Sequence, residues 1–253
     1  KPCTSLSKLA EVTRAVRWNE VLVRGGKFDV SVTTQGSRLR NRTAIAKKVE
    51  HAIADKLRKE KPSRVPGVQR VSVKLNKDVV TLSIDCGGEL LHKRGWRKNS
   101  VRAPLRENLA ASILMAAGWQ GDEPLYDPFC GSGTLLIEAA RMVAGCGAGL
   151  HSRNYGFSSW PILGPAKKRT ALRDWRSPCP IVGSDRDHDS VLAAAKNAQH
   201  AGVVMSFKTG DVSEVSPPTD HGLLVANPPW GMRLGQNVEG VYSALGRALD
   251  GPF

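Results

Sequence analysis

Polar and apolar residues alternate over Lys27–Thr34, with Phe28, Val30 and Val32 on one side. This two-residue period predicts a half-buried strand. A Gly-Ser-Arg-Leu-Arg-Asn-Arg loop follows, and then the period lengthens. Ile45, Val49, Ile53 and Leu57 recur at helical spacing through Thr43–Glu60, opposite a Lys/Arg-rich side, until Pro62 and Pro66. Gln69–Leu75 and Val79–Asp85 alternate again around Asn76-Lys77-Asp78, which predicts a hairpin. Lys1–Gly26 gives no clear period; Trp18 and Val21–Val23 are its strong apolar anchors. Residues 27–85 therefore read as a small α+β unit.

Beyond residue 103 the pattern changes. Pro104 suits the first turn of a helix to about Ala117, with Leu105, Leu109, Ile113 and Ala116 on one side. Strand and helix patterns then take turns: a Pro124–Asp127 strand, a Thr134–Ala144 helix, an Ile181–Asp185 strand and an Asp187–Ala201 helix. Strands over Val203–Thr209 and Gly222–Asn227 follow, then a helix from about Val238. Such alternation predicts a parallel sheet with helices on both faces. The Gly145–Pro180 insertion is long for a plain connection, so it is expected to be functional or to pack on the rim of the sheet.

Charge sharpens this division. The formal charge is +14, yet residues 1–104 hold 24 Lys/Arg against 9 Asp/Glu, while the remainder holds 13 against 14. Basicity confined to one part points to a polyanion gripped there and chemistry done elsewhere. Arg38, Arg40 and Arg42 are candidate phosphate contacts, as are Lys93, Arg94 and Arg97 in a basic linker over residues 92–103; a merely solvated basic face is the alternative. Five cysteines without paired metal spacing read as reduced thiols, so neither a zinc site nor a disulfide framework is expected. The absence of a membrane-length apolar run or signal peptide places the expected setting in the cytoplasm.

The candidate chemistry lies at strand ends. Asp127-Pro128-Phe129-Cys130-Gly131-Ser132-Gly133-Thr134 matches neither the dinucleotide fingerprint nor a P-loop. Its glycines permit close backbone approach, the helix start favours a carboxylate, and Asp127 can meet a cation. S-adenosylmethionine combines an amino acid, a sulfonium and a nucleoside, and would use all three. Asp185 ends its strand where an acid can accept both ribose hydroxyls, and Asp211 is placed for the adenine amino group; Asp187 and Asp189 read as support for the next helix. In Asn227-Pro228-Pro229-Trp230-Gly231 the prolines stop a buried strand. The Asn227 side-chain oxygen and the Pro228 carbonyl can then hold an exocyclic amine beside the Trp230 ring. In isolation, a Pro-rich loop capping a strand would look the same.

Asp127–Thr134, Gly183–Asp185 and Asn227–Gly231 together resemble the Rossmann-like S-adenosylmethionine-dependent amino-methyltransferases. Arg102–Ala117, Gly149–Trp160 and Lys27–Gly36 narrow the match to the THUMP-containing guanine-N2 RNA methyltransferases, closest to the large-subunit ribosomal RNA branch. The resemblance implies an α/β class I methyltransferase sheet over residues 104–253, preceded by a THUMP-like RNA-binding domain over residues 1–91. It implies S-adenosylmethionine as cofactor, Asn227, Pro228 and Trp230 at the target base, and Asp127, Gly131, Gly133, Asp185 and Asp211 at the cofactor. Trp230 stands where the family usually has Tyr. A THUMP module beginning before Lys1 and further strands after Asp250 are also implied, so the chain reads as a fragment or a divergent short form. An adenine-N6 DNA methyltransferase and a non-catalytic RNA-binding fragment are the competing readings. A 5-methylcytosine enzyme is disfavoured, because the Asn227–Gly231 loop lacks a nucleophilic cysteine and Cys179 lies before the second strand.

Overall fold

The computed structural model of the 253-residue chain describes residues 1–58, 68–88, 90–101, 104–146, 155–164, 172–214, 219, 221–229 and 238–249. It divides into two compact units: Lys1–Leu90 with Asn154–Lys168, and Leu91–Arg153 with Arg169–Phe253. No helix among the described residues is long and apolar enough to cross a membrane.

The first unit begins with a helix that the sequence pattern did not announce, α1 (Leu6–Arg14), capped where the Ser5 hydroxyl accepts the Lys8 amide. Leu9, Ala10 and Thr13 bury its inner face, and a short 3₁₀ turn over Trp18–Glu20 sinks Trp18 into the core. Strand β1 (Lys27–Gln35) leads to α2 (Arg42–Leu57), whose first turn is capped by Asn41. The expected end of that helix beyond residue 58 lies outside the described residues. Strands β2 (Val68–Asn76) and β3 (Val79–Ile84) complete a β1-β2-β3 sheet, parallel then antiparallel. Lys77 and Asp78 both take positive φ (47° and 60°), as a two-residue hairpin turn requires. Val71, Val73 and Leu75 of β2 meet Ile45, Val49 and Ile53 of α2 in one core. Residues 155–164 of the expected insertion belong to this unit rather than to the rim of the other sheet. Gln69 donates to the Gly156 carbonyl and the Ser159 hydroxyl, and accepts from the Trp160 indole.

The second unit opens with a strap, residues 91–101 and 104–106, and the basic stretch expected to be a linker is pinned inward at two points. Arg94 is 7% exposed and Trp96 is fully buried. Helix α3 (Glu107–Ala116) starts after Pro104, not at it, because Arg106 takes the extended cap conformation. Its buried stripe runs through Ala110 and Leu114, so Leu109, expected inside, is 49% exposed. Next come β4 (Leu125–Asp127), α4 (Thr134–Val143), β5 (Trp175–Arg176), β6 (Ile181–Asp185) and α5 (His188–Ala201). The single strand expected over 203–209 is two. β7 (Val203–Val204) pairs with β5, and β8 (Ser206–Thr209) pairs with β6, with Met205 at the break. The strand expected over 222–227 shortens to β9 (Leu223–Leu224), and α6 (Val238–Leu249) follows. The sheet order is β8-β6-β4-β9 and every pairing is parallel. In such a sheet, ligands bind outside the carboxyl ends of the strands.

Candidate functional site

The carboxyl ends of the four strands carry, in sheet order, Asp211, Asp185, Asp127 and Asn227. All four line one cavity of about 630 Å³ in the second unit. They come from chain positions up to 100 residues apart, and the parallel register brings them together.

Asp127 is 1% exposed and accepts the Phe129 amide at 3.0 Å. Burial, with Asp185 nearby, pushes its carboxyl up to about 8 against that one stabilising amide. Asp185 is better satisfied: one oxygen accepts the Gly131 amide at 2.9 Å, the other the Asp187 amide at 3.0 Å. Asp187 in turn caps α5, accepting from the Asp189 amide and the Ser190 hydroxyl, as its sequence position suggested. Asp211 accepts the Ser213 amide and hydroxyl on one oxygen, and these bonds hold its carboxyl below the usual range.

The two glycines of the turn serve different ends. Gly131 lines the cavity at φ 51°, its amide held by Asp185. Gly133 does not reach the wall; it caps α4 at φ 81°, and a Cβ there would press on Ala194, Ile137 and Phe207 at 3.1–3.3 Å. Burial and the two neighbouring carboxylates push the Cys130 thiol well above its ordinary value, so this cavity cysteine is no thiolate nucleophile. Asn227 and Pro229 line the wall, and Pro228 between them is not one of its lining residues; Trp230 is outside the described residues. The sequence reading missed the strap's Val101 and Leu105, the Arg186 side of the β6 loop, and Val241, Ala244 and Arg247 of α6. The Pro104-Leu105 helix signal and the helix expected from about Val238 pointed toward some of them as elements, though neither marked a cavity wall.

The six basic candidates separate. Arg38 and Arg40 are exposed in the loop entering α2 and Arg42 is exposed as its first residue, with Arg38 tied to the hairpin turn through its amide and the Asp78 carboxylate. Lys93 is exposed too. Arg94 and Arg97, expected to face RNA, instead turn inward. Arg94 pairs with buried Glu138 at 3.1 Å; Arg97 meets Glu107 at 3.3 Å and donates to the Thr134 hydroxyl and the Leu105 carbonyl. A guanidinium spent on a buried carboxylate is not free for a phosphate. Among the described residues, no group of three or more His, Cys, Asp or Glu is placed to hold a metal ion.

Residues 94–251 match the RMKL-like methyltransferase domain, and residues 3–85 match the THUMP domain. The chain belongs to the RMKL-like methyltransferase family. Its N-terminal unit carries the THUMP fold, and its C-terminal unit is a Rossmann-like methyltransferase sheet. A ribosomal RNA large subunit methyltransferase K/L from Shewanella pealeana is 36% identical over 272 residues, covering 100% of this chain. The counterpart from Shewanella baltica is 37% identical and covers 99%. The chain spans 38% of the length of these relatives. Among solved structures, SMU.472, described as a methyltransferase and solved in complex with SAH, is 27% identical with a TM-score of 0.75. The match covers 100% of this chain and 71% of that one. A Listeria monocytogenes protein described as an N6-adenine-specific DNA methylase is 28% identical with a TM-score of 0.78, covering 99% and 70%.

Proposed function

We propose that the RMKL-like unit binds S-adenosylmethionine and transfers its methyl group to the exocyclic N2 of a guanine in structured RNA, with large-subunit ribosomal RNA as the substrate and the cytoplasm as the setting. The observation that carries this reading is the convergence of Asp211, Asp185, Asp127 and Asn227 on one cavity. The residues fit the cofactor, because Asp127 is a buried acid whose neighbour is another acid, a place that favours a cation. When bound, the cofactor supplies an electrophilic methyl on a sulfonium.

The remaining chemistry belongs to the chain. Asp185, already oriented by two amides, keeps acceptor capacity for a diol, and Asp211 keeps one oxygen clear of Ser213. Asn227 and the Pro228 carbonyl accept the amine protons and aim its lone pair. Positioning of this kind lowers a displacement barrier by about 7–11 kcal/mol without a strong general base. The exposed arginines of the THUMP unit supply phosphate affinity, and RNA shape supplies selection against duplex DNA. The relatives described as ribosomal RNA methyltransferases favour RNA; the Listeria neighbour, as described, favours adenine N6 in DNA.

The test incubates the protein with labelled S-adenosylmethionine and either protein-free ribosomal RNA or duplex DNA, then digests to nucleosides. N2-methylguanosine from RNA, lost in Asn227→Ala with cofactor affinity retained, is the expected result. N6-methyladenine from DNA alone would transfer the assignment to the alternative, and no product with intact RNA binding would leave a binding module.

A further inference from the structure

We propose that Asn197, a residue of α5 outside the cavity wall, is a positioning residue that fixes the glycine turn and the strap as one wall of the cofactor cavity. The inference rests on the proposed cofactor reading for its purpose, though its geometry stands apart from it. Asn197 is fully buried, and its carboxamide makes four hydrogen bonds. Its oxygen accepts the amides of Lys98 and Asn99, both at 3.0 Å. Its nitrogen donates to the Asn99 carbonyl at 2.8 Å and the Ser132 carbonyl at 3.2 Å. Two donors at the oxygen and two acceptors at the nitrogen leave one consistent orientation of the amide and fill its capacity.

The two segments joined in this way both reach the ligand space. Ser132 sits between the two glycines of the turn, where Gly131 is already held by Asp185 and Cys130 by the Ser184 carbonyl. The strap continues from Asn99 to Val101 and, past residues 102–103, to Leu105, both on the cavity wall. Upstream, Arg94 and Trp96 anchor the strap on Glu138, and Arg97 anchors it on Glu107 and Thr134. Those anchors grip α3 and α4, whereas Asn197 alone among these side chains bonds both the strap and the turn. Ala in its place would leave strap amides and a turn carbonyl unpaired, and would uncouple the two.

The experiment uses the full chain with three variants. Asn197→Ala removes all four bonds. Asn197→Asp keeps the acceptor for the strap amides and loses the donor to the Asn99 and Ser132 carbonyls. Val203→Ala thins the same core from β7, which belongs to neither segment. Titration calorimetry with S-adenosylmethionine should show about tenfold weaker binding for Asn197→Ala, a difference of about 1.4 kcal/mol, and wild-type affinity for Val203→Ala even where both lower the unfolding temperature. Hydrogen exchange without cofactor should speed at Lys98, Asn99, Gly131 and Gly133 in Asn197→Ala, but only at the two glycines in Asn197→Asp. Wild-type affinity in Asn197→Ala, or an equal loss in Val203→Ala, reduces Asn197 to a packing residue and overturns the proposal. Should the wild type bind no cofactor, the proposed function fails, and the exchange pattern alone then decides whether Asn197 couples the two segments.

Discussion

Glu138 and Asp127 are both buried carboxylates of the methyltransferase unit, and they are treated in opposite ways. Glu138 is 4% exposed and receives Arg94 on one oxygen and the Trp96 indole on the other. Burial pushes its carboxyl up, and Arg94 opposes that push. Asp127 is 1% exposed, receives one amide, and has Asp185 rather than a cation beside it. A fold gains nothing from an acid left in that condition, since burying a charge without a partner costs far more than burying a neutral group. The carboxylate that the chain completes is structural. The one it leaves incomplete lines the cavity, where under the proposed function a cationic ligand would complete it.

The largest test of this contrast removes the internal cation. Arg94→Ala leaves Glu138 buried and uncompensated, and Glu138→Ala does the same to Arg94. Each should destabilise the second unit by about 3–5 kcal/mol, read by denaturant unfolding. A double replacement by apolar residues of similar volume should recover much of that loss. If Arg94→Ala unfolds like the wild type but loses RNA affinity, the strap is a nucleic-acid contact after all.

The second test asks whether Asp127 waits for a cation. Its folded pKa is raised above the unfolded value of about 3.9, so its contribution to stability is fully present below pH 4. That contribution falls as pH rises toward about 8, by up to about 1.4 kcal/mol per pH unit. Asp127→Asn should flatten this slope and, near pH 8, raise the unfolding temperature of the ligand-free protein. Cofactor binding to the wild type should tighten over the same window and release a proton, seen as a buffer-dependent binding enthalpy. A variant whose pH–stability curve overlays the wild type would show that Asp127 is already ionised and satisfied.

The same contrast marks what could be read from the chain. β1 and α2 were legible because burial on one face imposes a local period, and the strand-tip acids because β4 and β6 end where their apolar runs end. α1 was hidden although Leu6, Leu9, Ala10 and Thr13 hold helical spacing, since Ser, Lys and Thr dilute the stripe and a buried Thr13 hydroxyl bonds the Leu9 carbonyl. Arg94 and Arg97 were misread because their partners lie elsewhere in sequence, Glu138 being 44 positions on. Local composition counts a cation but does not say which way it faces. The break at Met205 was illegible for a similar reason: Val203 and Ser206 choose different neighbouring strands, a choice made by the sheets and not by the segment.

The smallest expected effect concerns the arginines that do face outward. Arg38, Arg40 and Arg42 are exposed, and the Arg38 contact to Asp78 is 3.6 Å long with the arginine side chain 77% exposed. Exposed pairs of this kind contribute little to stability, so the triple Arg38/Arg40/Arg42→Gln variant should unfold within about 1 kcal/mol of the wild type. Its effect should appear in the salt dependence of RNA binding. Each lost phosphate contact on single-stranded regions lowers the slope of log K against log salt by about 0.7, so three contacts lower it by about 2. Lys93, exposed beside the inward-facing Arg94, provides the internal comparison. Lys93→Gln should shift the slope by one contact at most, and Arg94→Gln should change stability far more than slope. An unchanged slope in the triple variant would remove the α2 loop from the RNA surface and place the phosphate contacts elsewhere on the basic unit.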